Sequence, residues 1–370
     1  MVDALAAGGA ERQAILSVSE LRKRGNSVDL IYYRPIKEYG EMLERLRINP
    51  IYVKAGTFLE RCYRLHKLFR ERNYQVVHGF KMASEVYTAV AGTWAGVPRR
   101  FGSFRSIYDL SISHRFLHYI VDKFLDGWIV NSEAGAMSMA RNTRISPRKI
   151  LVVHNGLYAE MLQASLPAKE AKARLGLPED SIIVTMLARL EPGKNHRMFI
   201  EAAGQVLLQI PQTRFLAVGK GSLKSGLERY TATQGLSGKV LFLGHRPDVA
   251  EILAATDISV LTTDFEGLPN AIIESMALSK AIVCTNYAGC SEIMVHGENA
   301  LISPCGDADA FAENLLRIIR DETLRRRLAS NASEYANREF SPEIMAKHLE
   351  AIYVHPVRHE NRNNGGGHDI

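Results

Sequence analysis

Short apolar runs alternate with stretches of helical spacing along the whole chain, and no other feature limits the fold as much. In the first half the runs are Val28–Tyr32, Val76–His78, Arg100–Ser103, Trp128–Val130 and Leu151–Val153. In the second half they are Ile182–Leu187, Arg214–Val218, Val240–Leu243, Ile258–Leu261 and Ile282–Cys284. Between them, Glu11–Arg24, Ser84–Ala95, Asn195–Leu208, Val249–Ala254 and Pro269–Leu278 read as amphipathic helices. Strands separated by helices cannot be joined by tight hairpins; they line up in parallel, with helices on both faces. The expected class is therefore α/β.

At 370 residues the chain is too long for one ordinary core. The expected division is a first domain over residues 1–160, a second over 161–340, a closing helix over 341–356 and a tail over 357–370. The boundary falls near residues 156–170, where Leu157–Lys172 has no strand pattern and Pro167 suits a helix start. Ala308–Arg338 reads as one long helix and Pro342–Ile352 as a short one. The tail is polar and rich in Gly and Asn, so disorder is expected there. Only Met1–Ala6 precede Gly8-Gly9, where a buried first strand belongs. Either that strand is very short or the chain begins upstream of Met1.

Charge separates the two halves. Residues 1–155 hold 24 Lys and Arg against 14 Asp and Glu, and the rest hold 22 against 26. A basic first half suits an anionic partner: a membrane surface, an acidic glycan, a lipid phosphate or nucleic acid. No zinc-finger spacing or aromatic RNA-binding signature occurs, so nucleic acid is not expected. Within Arg61–Arg72, helical spacing places Leu65, Leu68 and Phe69 near one face with Arg64, Lys67 and Arg70 beside it. Such a helix either lies on a membrane or packs on its own sheet. The longest apolar runs, such as Ile182–Ala188, are far shorter than a membrane span, and the first residues lack a signal peptide's basic start and apolar core. The four cysteines (Cys62, Cys284, Cys290, Cys305) have no metal-site spacing and read as reduced thiols. The expected location is cytoplasmic, with peripheral attachment to the inner face of the membrane as its extension.

Five stretches carry candidate chemistry, four of them at or just beyond the end of an apolar run. Glu266 to Glu274 reads E-G-L-P-N-A-I-I-E. Pro269 suits the first turn of a helix, Glu266 lies in the loop before it, and Glu274 looks back from about one and a half turns in. The N–H groups of Leu268, Asn270 and Ala271 then form a helix-start anion site outside the carboxyl end of a strand. A helix cap with two solvated glutamates fits the same string. Ala188 to Asn195 reads A-R-L-E-P-G-K-N, and the cations Arg189 and Lys194 can neutralise a diphosphate, or stand in a solvated basic loop. Gly8-Gly9 opens the first helix and allows a close backbone approach, without the full dinucleotide fingerprint. Val218 to Gly221 (V-G-K-G, with Gly219) and Leu243 to Val249 (L-G-H-R-P-D-V, with Arg246) can wall a nucleotide base or simply turn the chain.

Together these stretches resemble the large retaining glycosyltransferase family 4. Its markers stand in the family's order from Gly8 to about Ile352: G-G-A-E-R, V-V-H-N-G, A-R-L-x3-K-N, V-G-K-G, L-G-H-R-P-D-V, Glu-x7-Glu and A-G-C-S-E-I. The resemblance implies a GT-B fold, two Rossmann-like parallel-sheet domains facing each other across a cleft. It implies a sugar transfer from a nucleotide-diphosphate sugar, UDP- or GDP-linked, to a glycan or lipid-linked acceptor in cell-surface polysaccharide or glycolipid synthesis. By the same resemblance, Arg189 and Lys194 hold the donor diphosphate, Glu266 contacts the donor sugar and Glu274 accepts the ribose hydroxyls. Main-chain groups at Leu268, Pro269, Asn270 and Ala271 touch sugar and phosphate, and Gly8-Gly9 close over the phosphate. No metal or other cofactor is expected.

The chain departs from the family at Arg105, near where many members carry a histidine. That arginine is a candidate for the acceptor side, as is His78 at the end of a strand; a surface arginine and a structural histidine are the plain alternatives. Asp307-Ala308-Asp309 opens a helix and reads as a cap rather than a metal site. Cys290 reads as a packed small residue. Two other functions share these features: a nucleotide-sugar epimerase, and a non-catalytic protein that binds anionic glycan or lipid.

Overall fold

The computed structural model describes residues 1–6, 8–36, 38–104, 112–157 and 166–355. Arg105 and the tail fall outside them. Among the described residues twelve strands are formed: β1 (Ile31–Tyr32), β2 (Ile51–Tyr52), β3 (Val76–Gly79), β4 (Arg99–Phe104), β5 (Gly127–Val130), β6 (Ile150–Val152), β7 (Ile183–Leu187), β8 (Arg214–Val218), β9 (Val240–Gly244), β10 (Ile258–Leu261), β11 (Ala281–Thr285) and β12 (Leu301–Ser303).

In the second half the strands form one parallel sheet in the order β9-β8-β7-β10-β11-β12. The chain starts at the middle, at β7, winds outwards to β9, then returns to β10 and winds the other way. The loops leaving β7 and β10 therefore diverge at their carboxyl ends, and a crevice opens between them. Every residue of β10 and β11 is buried, which is why those strands read as continuous apolar runs rather than as alternating ones.

The first half repeats the scheme. β3, β4, β5 and β6 pair in parallel in that order, and β1 pairs with β2. The segment Met1–Leu5 fills the gap between the two groups. Val2 N donates to the Ile31 carbonyl at 2.9 Å, and Phe80 N donates to the Met1 carbonyl at 3.0 Å. Val2 and Leu5 are fully buried. The segment thus runs extended where a buried first strand belongs. It feeds directly into Gly8 and the helix Gly9–Lys23.

The helix Pro342–Val354 returns to the first half, where Met345 and Leu349 pack on Leu16, Phe101, Ile129 and Val153. Arg24 and Asn26 both bond Glu350. The single long helix expected over Ala308–Arg338 is instead two, Ala308–Arg320 and Glu322–Glu339. Asp321 separates them, because its carboxylate accepts from Leu324 N at 2.8 Å and so caps the second helix. Asp307 caps the first helix in the same way, by accepting from Ala310 N.

Candidate active site

The two loops at the crevice of the second sheet are sewn together by short polar side chains. After β7 the chain passes Arg189, makes a tight turn over Pro192–Lys194, and enters the helix His196–Gln209. Asn195, at φ 49°, caps that helix by accepting from Met198 N, and its amide reaches Asp264 of the loop after β10. The Thr262 hydroxyl lies 3.1 and 3.0 Å from the carbonyls of Lys194 and Asn195, which share its proton, and the Thr263 hydroxyl lies 2.8 Å from the Gly193 carbonyl. These bonds bring Lys194 beneath the loop that carries Glu266, and the two side chains form an ion pair. Lys194 is only 8% exposed. Burial, and then the neighbouring charge of Arg189, push its pKa down to about 8. His196, next along, is buried without a ring partner; burial and then Lys194 push its pKa down to about 4, so it is neutral at physiological pH.

Two glycines are required where backbone meets backbone. Gly219 follows β8 at φ +153°, and a Cβ there would stand 2.0 Å from the Ala188 carbonyl oxygen. Gly289, in the A-G-C-S-E-I string, donates to the Glu266 carbonyl, and a Cβ there would stand 1.9 Å from the Gly267 oxygen. The loops that place Arg189 and Glu266 are therefore packed main chain to main chain.

Pro269 is the N-cap residue of the helix Asn270–Ala277, which starts one residue later than the sequence suggested. Glu274 lies in that helix, buried. Its carboxylate is held across the crevice by Arg12, from the helix that follows Gly8-Gly9. Burial works against the Arg12 charge, but the charge of Glu274 and its hydrogen bond outweigh burial and raise the arginine's pKa. Asn155 Nδ2 donates to Asn270 Oδ1 at 2.7 Å, and a Cβ on Gly9 would meet Asn270 Nδ2 at 2.7 Å. Glu292 makes a third tie: its two oxygens accept from the N–H groups of Glu133 and Ala134, the start of a first-half helix.

A cleft of about 690 Å³ lies between the halves. Gly8, Gly9, Arg189, Glu266, Leu268 and Asn270 all line it. On the first-half wall stand Lys81, Ser103, Asn131 and Asn155, at or just beyond the carboxyl ends of β3 to β6, with Glu85 from the helix Met82–Ala95 and His118 from the helix Ile112–Asp122. Lys81 pairs with the buried Glu11. Glu85 and His118 face each other at 3.4 Å, both buried, and burial pushes the Glu85 carboxyl above its ordinary range against the pull of His118.

The sequence candidates divide accordingly. Lys194 and Glu274 are not among the cleft-lining residues: Lys194 stands behind Glu266, which lines the cleft, and Glu274 pairs with Arg12 of the first half. Gly219 serves the loop packing behind the cleft. Arg246 pairs with Asp248 at 2.7 Å and is not among the cleft-lining residues. His78 does not reach the cleft: Tyr353 and Ser103 each bond one of its ring nitrogens at 2.7 Å, which makes it a buried structural histidine. The helix proposed for a membrane surface, Phe58–Arg72, buries Leu65 and Phe69 in its own core. Sequence reasoning missed Arg12, Glu85 and His118. Two histidines four residues apart, His114 and His118, were the available signal for one helix face at the cleft.

The comparisons with known proteins agree with this geometry. A family model described as glycosyl transferases group 1 matches residues 167–335, and one described as Glycosyltransferase Family 4 matches residues 7–160. The chain is 28% identical over 70% of its length to the UDP-Gal:alpha-D-GlcNAc-diphosphoundecaprenol alpha-1,3-galactosyltransferase of Escherichia coli, of which it covers 70%. It is 26% identical over 85% of its length to the N,N'-diacetylbacillosaminyl-diphospho-undecaprenol alpha-1,3-N-acetylgalactosaminyltransferase of Campylobacter jejuni, of which it covers 84%. The crystal structure of Anabaena Alr3699/HepE in complex with UDP-glucose superimposes with a TM-score of 0.81 at 22% identity, covering 95% of this chain and 98% of that one. These relatives are transferases, which disfavours the epimerase and idle-binding readings. With two parallel sheets of Rossmann order meeting at a cleft and the two models spanning most of its length, the chain belongs to glycosyltransferase family 4 and has the GT-B fold.

Proposed function

We propose that the cleft transfers a sugar, with retention of its anomeric configuration, from a UDP-linked donor to a hydroxyl of a lipid-linked glycan in cell-surface polysaccharide synthesis. One observation carries this reading: Arg189, Lys194 and Glu266 meet at the point where the strand order of the second sheet reverses. A leaving diphosphate there meets two cations in a partly dry site, where each charge acts more strongly than in water. Glu266 contacts the donor sugar, Glu274 the ribose, and the helix start at Asn270 and Ala271 the phosphate, with Gly8 and Gly9 closing from the other side. Gly219 and Arg246 belong to the loops expected to wall the base.

The acceptor enters along the first-half wall and approaches on the leaving-group side. Its oxygen bonds to the anomeric carbon as the carbon–phosphate-oxygen bond breaks, and its proton passes to the departing phosphate oxygen. The choice of UDP is supported by the UDP-sugar in the E. coli relative's name and by the UDP-glucose bound to the Anabaena structure. The choice of acceptor is supported by the diphosphoundecaprenol in the names of both relatives. Among the described residues no helix is long and apolar enough to cross a membrane; we read the protein as acting peripherally at the inner face. A thermal-shift screen of UDP, GDP and other nucleotides tests the donor half. A ligand at ~100 times its Kd adds roughly 2.7 kcal/mol of stability. UDP is expected to do so, and no shift with UDP would refute the assignment.

A further inference from the structure

We infer that Glu85 and His118 are the specificity-determining pair for the acceptor: they read one hydroxyl of the acceptor sugar, distinct from the hydroxyl that is glycosylated. Both residues line the cleft, and they are only 2% and 3% exposed. His118 Nε2 faces Glu85 Oε2 at 3.4 Å, longer than a good hydrogen bond. Among the described residues neither Glu85 Oε2 nor His118 Nδ1 has a hydrogen-bond partner. Leaving a buried carboxylate oxygen and a buried ring nitrogen open is costly, and a fold keeps such groups where a ligand completes them. His78, on a strand of the same half, shows the contrast: Tyr353 and Ser103 bond both of its ring nitrogens. The ring of His118 is held instead by aromatic edges, with Trp128 at 5.1 Å and Phe104 at 5.8 Å, each T-shaped to it. That packing fixes its direction and leaves its polar atoms for a ligand.

The chemistry of the pair selects its ligand. Beside a carboxylate the neutral imidazole carries its proton on Nε2; assigned from that pairing, the tautomer leaves Nδ1 as an acceptor next to a carboxylate that also accepts. Two acceptors on a buried wall call for a donor, and a hydroxyl is the donor that every sugar carries. From the second half Phe265, beside Glu266, lines the same cleft and is 61% exposed. A sugar ring has an apolar C–H face and a polar edge, which an exposed aromatic ring and a buried polar pair match in turn. The reacting hydroxyl belongs at Arg189 and Glu266, where the departing phosphate takes its proton. Glu85 and His118 therefore bind and orient the sugar and take no part in the proton transfer. The inference deepens the sugar-transfer reading and rests on it.

Transfer by the full chain from UDP-hexoses and UDP-N-acetylhexosamines to octyl glycosides of glucose, galactose, N-acetylglucosamine and N-acetylgalactosamine tests it. The best of these acceptors is then compared with its monodeoxy analogues. One analogue is expected to lose about a hundredfold in kcat/KM with the wild-type enzyme but less than about fivefold with Glu85→Gln, because hydroxyl and carboxylate no longer meet. Glu85→Gln should raise KM for the intact glycoside about tenfold, more than it lowers kcat, and leave UDP affinity within about twofold. His118→Gln, which keeps a donor towards Glu85 and removes the Nδ1 acceptor, should give the same pattern, and it decides if Glu85→Gln does not fold. Deoxy losses equal in variant and wild type, a tenfold loss of UDP affinity in the variants, or transfer to none of the glycosides by a protein that binds UDP would each overturn the inference. Failure of the wild-type protein to bind UDP would instead strike the donor assignment; the same analogue series, read by thermal shift rather than by transfer, then decides the pair.

Discussion

Replacing Lys194 separates what an ion pair does for the fold from what a cation does for the reaction. Lys194 is buried, paired with Glu266 and close to Arg189. Lys194→Ala leaves the Glu266 carboxylate under the loop without its partner. Breaking a buried pair costs about 3–5 kcal/mol, and partial exposure of Glu266 brings the expected loss down to roughly 2 kcal/mol. The same change removes one of two cations from the leaving diphosphate, and losing one such group lowers turnover by ~10²-fold or more. Lys194→Ala combined with Glu266→Gln resolves the two effects. Removing both charges should restore most of the stability, because no unpaired carboxylate remains. Turnover should remain as low as in the single variant or lower. Thermal unfolding and release of UDP from the donor are the two readouts. A single variant with turnover within twofold of wild type, or a double variant that regains turnover along with stability, would refute the assignment of Lys194 to the diphosphate.

Three further outcomes follow from the geometry. Glu274→Gln should weaken UDP binding by about tenfold, measured by calorimetry, because a charged acceptor for the ribose hydroxyls becomes a neutral one; unchanged affinity would remove Glu274 from the nucleotide site. Gly289→Ala should destabilise the protein by about 1–3 kcal/mol and lower UDP affinity, since its methyl group would displace the Gly267 carbonyl; wild-type behaviour in both would contradict the packing of that loop. His196 has a folded pKa of about 4 against an ordinary 6.5. Its folded pKa lies below its unfolded one, so its contribution is intact above pH 6.5 and is lost as pH falls towards 4, by about 3 kcal/mol in all. Replacing it with Phe should flatten that acid limb in urea unfolding, and an unchanged limb would rule out its part in it.

Strand-and-helix alternation made both sheets legible because buried parallel strands such as β10 and β11 are apolar at all but one position each, Ser259 and Thr285. β2 and β12 escaped notice because two or three residues carry no periodicity, and Met1–Leu5 gains its strand character from neighbours far away in the chain. At the site, Arg189, Lys194 and Glu266 were visible because local loops bring them together at the ends of adjacent strands. Arg12 was not, since its partner Glu274 lies 262 positions away and only the meeting of the two halves creates the pair. His78 misled for the converse reason. A strand-end histidine looks available until Tyr353, on a helix that returns from the far end of the chain, takes one of its nitrogens.

The central claim is retaining transfer from a nucleotide-diphosphate sugar, and the anomeric proton of the first-formed product tests it most directly. Incubated with UDP-α-hexoses, the enzyme should give a product whose anomeric proton shows the small coupling of an α linkage at the earliest times, whether the sugar is passed to an acceptor or to water. That result needs the cation pair at Arg189 and Lys194 and no general base on the first-half wall. A β anomer formed first would contradict the account, and it would point to the buried Glu85 and His118 as the base that inversion requires.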